Sequence, residues 1–222
     1  MTVEQEYWLE NLKQALLLPL PAEKAHIIAA PGDRVEELTN RKWPKNAKQS
    51  AVTFLLFPEE GEWYTLFMKR VEYDGVHSGQ ISLPGGQKDP IDTNLLQTAI
   101  REFEEETGVT LKQDHYLGAL SDLYIPPSNF MVQPYVAVLD SLPALSPDLS
   151  EVQELHKIAL KDLFYPENFK EEEIHLRQRG ENSYTIKAPC YLVKGLRIWG
   201  ATAMMISELQ MIIEENQITL PQ

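Results

Sequence analysis

The sequence predicts an α+β fold in which β-prone runs are interspersed with helices and one further helix stands in front. Three observations carry this reading. Ser50–Phe57 (SAVTFLLF) and Trp63–Arg70 (WYTLFMKR) are β-prone runs joined across the turn formers Pro58–Glu62, as in a hairpin. Between Asp92 and Gly108, apolar residues recur at helical spacing. After more strand-like runs, a last long helix opens near Ile198, with Met204, Met205, Leu209, Ile212 and Ile213 on its apolar side.

Composition narrows the function. With 222 residues, 43% of them hydrophobic, the chain can bury a full core. A net charge of −13 argues against a nucleic-acid surface, which needs basic patches. The single cysteine, Cys190, excludes an internal disulfide framework and suits a reducing compartment. No apolar run approaches the ~20 residues of a membrane span, and MTVEQEYWLENLKQ lacks the basic and apolar regions of a signal. The expectation is a cytoplasmic protein without nucleic-acid or membrane partners.

In chain order, residues 3–18 form an amphipathic helix with Trp8, Leu9, Leu12, Ala15 and Leu16 on one face, stopped by Pro19 and Pro21. That face either packs on the domain or makes the contact of a homodimer. His26–Lys48 reads as irregular, so residues 1–48 are a helix and lead-in, 49–216 the enzyme domain, and 217–222 a short tail. Ser50–Phe57 is apolar almost throughout, as for a strand buried on both faces. Val71–Ser78 is a polar loop, Gln80–Leu83 a strand-like run, and Gly85-Gly86 a turn. Tyr116–Leu123, Met131–Leu139 and Tyr184–Val193 read as strands, and Lys170–Asn182 as an exposed turn between strands. Ile198–Ala203 opens the last helix.

Chemistry concentrates in the first of the two long helices. Asp92, Thr93 and Asn94 are N-cap residues, and Gly108 stands where a left-handed glycine ends a helix. Leu96, Ala99, Ile100 and Phe103 share the buried side. At about 100° per residue, Glu102, Glu105 and Glu106 share an adjacent stripe, and Glu104 points away. Arg101, one turn before Glu105, can orient or partly neutralise it. For EFEEE alone a solvated acidic face is the better reading. The strand-like run and paired glycines leading into the helix favour a site instead. Clustered carboxylates with a backbone carbonyl suit hard cations such as Mg²⁺ or Mn²⁺, and hence phosphate chemistry.

This stretch resembles the Nudix box, G-x5-E-x7-R-E-U-x-E-E-x-G-U, where U is apolar. Arg101–Val109 matches its second half in full. The first half departs: Gly86-x5 ends on Asp92 rather than Glu, Arg101 follows one residue late, and Thr93 holds the place counted back from Arg101. That glutamate is mostly structural in the family. The resemblance implies an α/β/α sandwich with a mixed sheet and hydrolysis of a diphosphate linkage in a small nucleoside diphosphate derivative. It places one to three Mg²⁺ or Mn²⁺ ions on Glu102, Glu105, Glu106 and the Gly86 carbonyl, with Arg101 orienting Glu105. The base is a box glutamate or an acid downstream, for which Glu151 before Val152 fits best and Glu154 second. Alternatively, Glu151 and Glu154 are solvated glutamates at a helix start.

A second resemblance points to the coenzyme A pyrophosphatase branch. FMKRVEYDGVHSGQISLPGG is similar to that branch's LLTxRSx3Rx3GQxxFPGG, with Arg70, Gly79, Gln80, Pro84, Gly85 and Gly86 in register. Arg70, Gly79, Gln80 and Gly85 are thereby expected at the substrate. Met68, Val71 and Gly75 depart, and Gly75 replaces an arginine that would hold a phosphate; Lys69, Arg177 and Arg179 are substitutes for that charge. Val132-Gln133-Pro134 and IWGATA (198–203) are similar to further segments of the same branch. Two other readings stand beside this one: a Nudix hydrolase of ADP-ribose, a nucleotide sugar or a dinucleotide, and a metal-free binding module on the same fold.

Overall fold

A computed structural model describes residues 1–40, 43–72, 77–177 and 183–220. Helices α1 (Val3–Ala15), α2 (Glu23–Ala29) and α3 (Val35–Asn40) precede the hairpin β1 (Lys48–Glu59) and β2 (Glu62–Arg70). Then come β3 (Ile81–Ser82), β4 (Gly85–Gln87), α4 (Leu95–Thr107), β5 (Tyr116–Ala119), β6 (Leu123–Ile125) and β7 (Phe130–Val138). The chain continues through β8 (Val152–Ala159), α5 (Leu160–Leu163), β9 (Phe169–Arg177), β10 (Ser183–Val193), β11 (Leu196–Trp199) and α6 (Gly200–Glu215).

The main sheet is mixed and built around β1. It runs parallel to β7 and antiparallel to β2 and β4, while β2 also carries β3 and β8, and β7 carries β5 and β6. Along β1 the buried residues alternate between two cores. Leu55 and Phe57 join Phe103 of α4 and Leu111 on one face. Phe54 and Leu56 join Trp8 and Leu12 of α1 and Met204 and Leu209 of α6 on the other. This is the sandwich expected, with α1 sharing the second core. A strand covered on both faces needs apolar side chains at both phases of its period, and SAVTFLLF supplies them. Among the described residues, no helix is long and apolar enough to cross a membrane.

Several elements differ from expectation. His26–Lys48 is not irregular throughout: it holds the second half of α2 and all of α3, tied to the core by His26, whose Nε2 lies 2.9 Å from Glu208 of α6 with both side chains buried. The Gly-Gly stretch is the strand β4, paired with Ser50–Val52, because a partner strand 35 residues upstream completes its hydrogen bonds. Lys170–Arg177 belongs to β9, which pairs with β10 in a second, three-stranded antiparallel sheet with β11. Ile198 and Trp199 end β11, and the last helix starts at Gly200. On α4 the buried stripe is Thr98, Ala99, Phe103, Glu106 and Thr107, with Leu96 and Ile100 only half-buried. Glu151 and Glu154 open no helix, since Val152–Ala159 is a strand on β2.

Candidate active site

Asn94 caps α4 by accepting from the Gln97 amide, and Gly108 ends it at φ 73°. Asp92, two residues before the cap, does something else. It lies 7% exposed and accepts from Arg101 at two points, Nε to Oδ1 at 3.1 Å and Nη2 to Oδ2 at 2.9 Å. The Asp89 amide and the Thr98 hydroxyl complete its shell. Asp92, at the end of the Gly86-x5 spacing, thus reaches Arg101 with both carboxylate oxygens. Sequence reading counted Asp92 among the cap residues while noting that it ends the Gly86-x5 spacing where the motif has Glu.

Thus anchored, Arg101 spends its remaining donors on the box. Nη1 donates to Glu102 at 2.8 Å and Glu105 at 2.9 Å, and Nη2 to the Gln87 carbonyl at 3.1 Å. The Asp92 bonds, more than any other contact, raise the already high pKa of the guanidinium. The same bonds hold the Asp92 carboxyl at about 2, below its ordinary 3.8. A depressed carboxyl stabilises the fold above its unfolded value and loses that contribution as pH falls toward 2. Asp92→Asn is therefore expected to cost about 1.5–3 kcal/mol at neutral pH, the range for hydrogen bonds to charged groups. The gap between wild-type and variant melts should narrow in acid; a gap unchanged down to pH 2 would show that the charge contributes nothing.

The two glycines explain how carboxylates come so close to the backbone. A Cβ on Gly86 would strike the Glu102 carboxylate. Gly85 has φ +148°, where a side chain would run into Ala51 O and Val52 Cα, and its amide donates to Glu106 Oε2 at 2.6 Å. Hydrogen bonds from Thr53 to Pro84 O and from Lys88 to Gln49 O flank the Ala51–Gly86 pair. By the alternation of an antiparallel ladder, Gly86 and Ala51 bond each other, leaving the Gly86 carbonyl one free lone pair. Burial pushes the Glu106 carboxyl up to about 8, against the Gly85 amide and an Arg70 guanidinium 3.8 Å away. Burial also raises Glu102, against Arg101, with Glu105 and Glu151 adding repulsion.

These groups line one cleft of about 600 Å³. Glu102, Glu105, Glu106, Glu151, Arg70, Gln80, Gly85 and Gly86 all border it, and Glu104 instead accepts from Thr110 in solvent. Among the described residues, no three acids or histidines converge at ligand spacing. Arg101 stands between Glu102 and Glu105, and Glu106 is turned toward Gly85. The donor set still suits a hard divalent cation: four carboxylates on one cleft, mutually repelling, one of them buried without a full countercharge.

Not every expected residue is at the cleft. Gly79 is absent from its lining and turns the chain at φ 66°. Glu154 lies beside His156, at 3.3 Å, rather than on the cleft. His77 does line it, bonded to Gln80 at 3.2 Å, and burial lowers its pKa from the ordinary imidazole value. Gly75, Arg179 and the Arg177 side chain lie outside the described residues. Val132 and Trp199–Thr202, from the two further segments singled out in the sequence, also line the cleft. Lining residues that the sequence did not point to include Ile125, Phe130, Leu176 and Ile186, with Arg34 from just ahead of α3.

Comparison with known proteins agrees with this geometry. A family model described as NUDIX domain matches residues 47–179. The mitochondrial coenzyme A diphosphatase NUDT8 of Mus musculus is 37% identical over 148 residues, 66% of this chain and 67% of that protein. Its Homo sapiens counterpart is 34% identical over 64% of this chain, which spans 58% of that protein's length. The Nudix hydrolase NudL of Yersinia enterocolitica is 32% identical over 65% of this chain and 71% of its own. Among solved structures, a MutT/nudix family protein from Enterococcus faecalis shares the fold at TM-score 0.52 and 15% identity, covering 89% of this chain and 76% of its own. With the family model matched over more than half its length, the chain belongs to the NUDIX domain family of pyrophosphohydrolases.

Proposed function

We propose that the protein hydrolyses the diphosphate of coenzyme A or an acyl or oxidised derivative, giving 3′,5′-ADP and a 4′-phosphopantetheine product, with Mg²⁺ or Mn²⁺ as cofactor. One observation carries the reading: the cleft is lined both by carboxylates with Arg70 and by apolar side chains such as Ile125, Phe130, Ile186 and Trp199. A substrate with a diphosphate at its middle and an extended, weakly charged arm suits that lining, and about 600 Å³ lies within the usual range for such sites. The 37% and 34% identical coenzyme A diphosphatases support it further.

Glu102, Glu105, Glu106 and the Gly86 carbonyl are the groups to hold the cation, which supplies Lewis acidity beside the diphosphate. Arg101 fixes the Glu102 and Glu105 rotamers through its Asp92 anchor, so both carboxylates wait in place. Arg70 offers a guanidinium to the phosphate oxygens. Glu151, exposed on the cleft just ahead of β8, takes the proton of the attacking water.

A substrate panel with Mg²⁺, scored by liberated products, tests this. Coenzyme A is expected to be cleaved faster than any simple nucleoside triphosphate, with 3′,5′-ADP as one product. Ready turnover of ADP-ribose or a dinucleotide with coenzyme A untouched would overturn the substrate assignment and keep the family chemistry.

A further inference from the structure

We infer that Arg34 recognises a phosphate monoester that the substrate carries apart from its scissile diphosphate. This rests on the diphosphate chemistry proposed above. Among the described residues that line the cleft, Arg34 and Arg70 are the two arginines, and no lysine borders it. Arg70 stands with the carboxylates, 3.8 Å from Glu106. Arg34 stands elsewhere. Its Nη2 donates to the Tyr124 carbonyl on β6 at 2.7 Å. Strands β4, β1, β7 and β6 lie side by side, so Gly86 and Tyr124 are three strand spacings apart, roughly 14 Å. Two cations thus meet one cleft at separate places, as a ligand with two separate anionic groups requires.

The side chain is also prepared for a ligand. Only 13% of it is exposed, so its charge is poorly hydrated. Nε lies 3.0 Å from Glu37 Oε2, an ion pair without hydrogen-bond alignment, and Nη1 donates to no described residue. The bond to the Tyr124 carbonyl orients the guanidinium, Glu37 holds its charge nearby, and a planar fork with donors to spare is what binds phosphate at two points. In a chain of net charge −13, a cation sunk in the substrate cleft has a clear use against a phosphate. A purely structural alternative exists: Arg34 staples the segment before α3 to β6. The two roles differ in what they do to matched substrates.

The experiment compares coenzyme A with 3′-dephospho-coenzyme A, and NADP⁺ with NAD⁺, each pair differing by one ribose phosphate, in wild type, Arg34→Gln and Arg34→Lys. Wild type is expected to favour the phosphorylated member of any pair it cleaves. Arg34→Gln should raise KM for that member by about 10- to 100-fold, the scale of a charged hydrogen bond, and leave kcat and the other member unchanged. Arg34→Lys should restore part of the preference. Equal losses on both members, or none on either, would overturn the inference and leave a staple. So would a wild type without preference, which needs no variant to fold. Cleavage of the nicotinamide pair alone, with the Arg34-dependent preference present, would remove the coenzyme A assignment and keep Arg34. Turnover of none of the four would overturn both.

Discussion

Replacing Glu106 with Gln is expected to lower kcat with Mg²⁺ by more than about 100-fold while the fold survives, a loss beyond that usual for second-shell groups. Survival follows from the carboxyl's own state. Held up to about 8 by burial, Glu106 keeps its proton at neutral pH in the cation-free protein. A Gln side chain resembles that neutral form and can still accept from the Gly85 amide. The amide cannot become a carboxylate when a cation arrives, and that is the change that stops turnover. Glu105→Gln should behave alike, since Glu105 faces the same cleft half-exposed and is held by Arg101. Glu104→Gln is the control. Its side chain is exposed and bonded to Thr110, so near-wild-type activity is expected. Near-wild-type turnover by Glu105→Gln or Glu106→Gln would remove the cation from these residues. An essential Glu104 would overturn the helical phasing.

Arg101→Ala should lose activity by about 10- to 100-fold or more, because Arg101 is the common neighbour of Asp92, Glu102, Glu105 and the Gln87 carbonyl. Without it the two glutamates repel each other at the cleft, and Asp92 is left buried with only the Asp89 amide and Thr98. Arg101→Lys is expected to rescue poorly. An ammonium keeps the charge but cannot form the fork on Asp92 while reaching two further carboxylates from another nitrogen. Steady-state kinetics with thermal melts separate the two roles. Full activity in the lysine variant would reduce Arg101 to a general countercharge.

The local parts of this site are legible in the chain because they are periodic. Glu102, Glu105 and Glu106 fall on one stripe by helical spacing alone, and the structure puts all three on one cleft. The two-sided burial of β1 is likewise written in its unbroken apolar run. What resists reading depends on distant partners. Gly85–Gln87 looks like a turn until Ser50–Val52 lies beside it. The KEEEIH run looks solvated because its strand has one wet face, with Glu171 and Glu173 exposed and Ile174 buried against the Cys190 side of β10. Arg34 carries no local signal at all. It reaches the cleft because α2 is tied to α6 through His26 and Glu208, and because Tyr124, 90 residues away, presents a carbonyl.

The central claim, that these carboxylates form a divalent-cation site, is tested most directly by isothermal titration of the cation-stripped protein with Mn²⁺ at pH 7. The account predicts a saturable site of millimolar affinity or better that disappears in Glu106→Gln. Heats should vary with the buffer's ionisation enthalpy, because binding expels the proton that Glu106 holds below its pKa of about 8. Absence of a site in the wild type, or an unchanged site in Glu106→Gln, would contradict it.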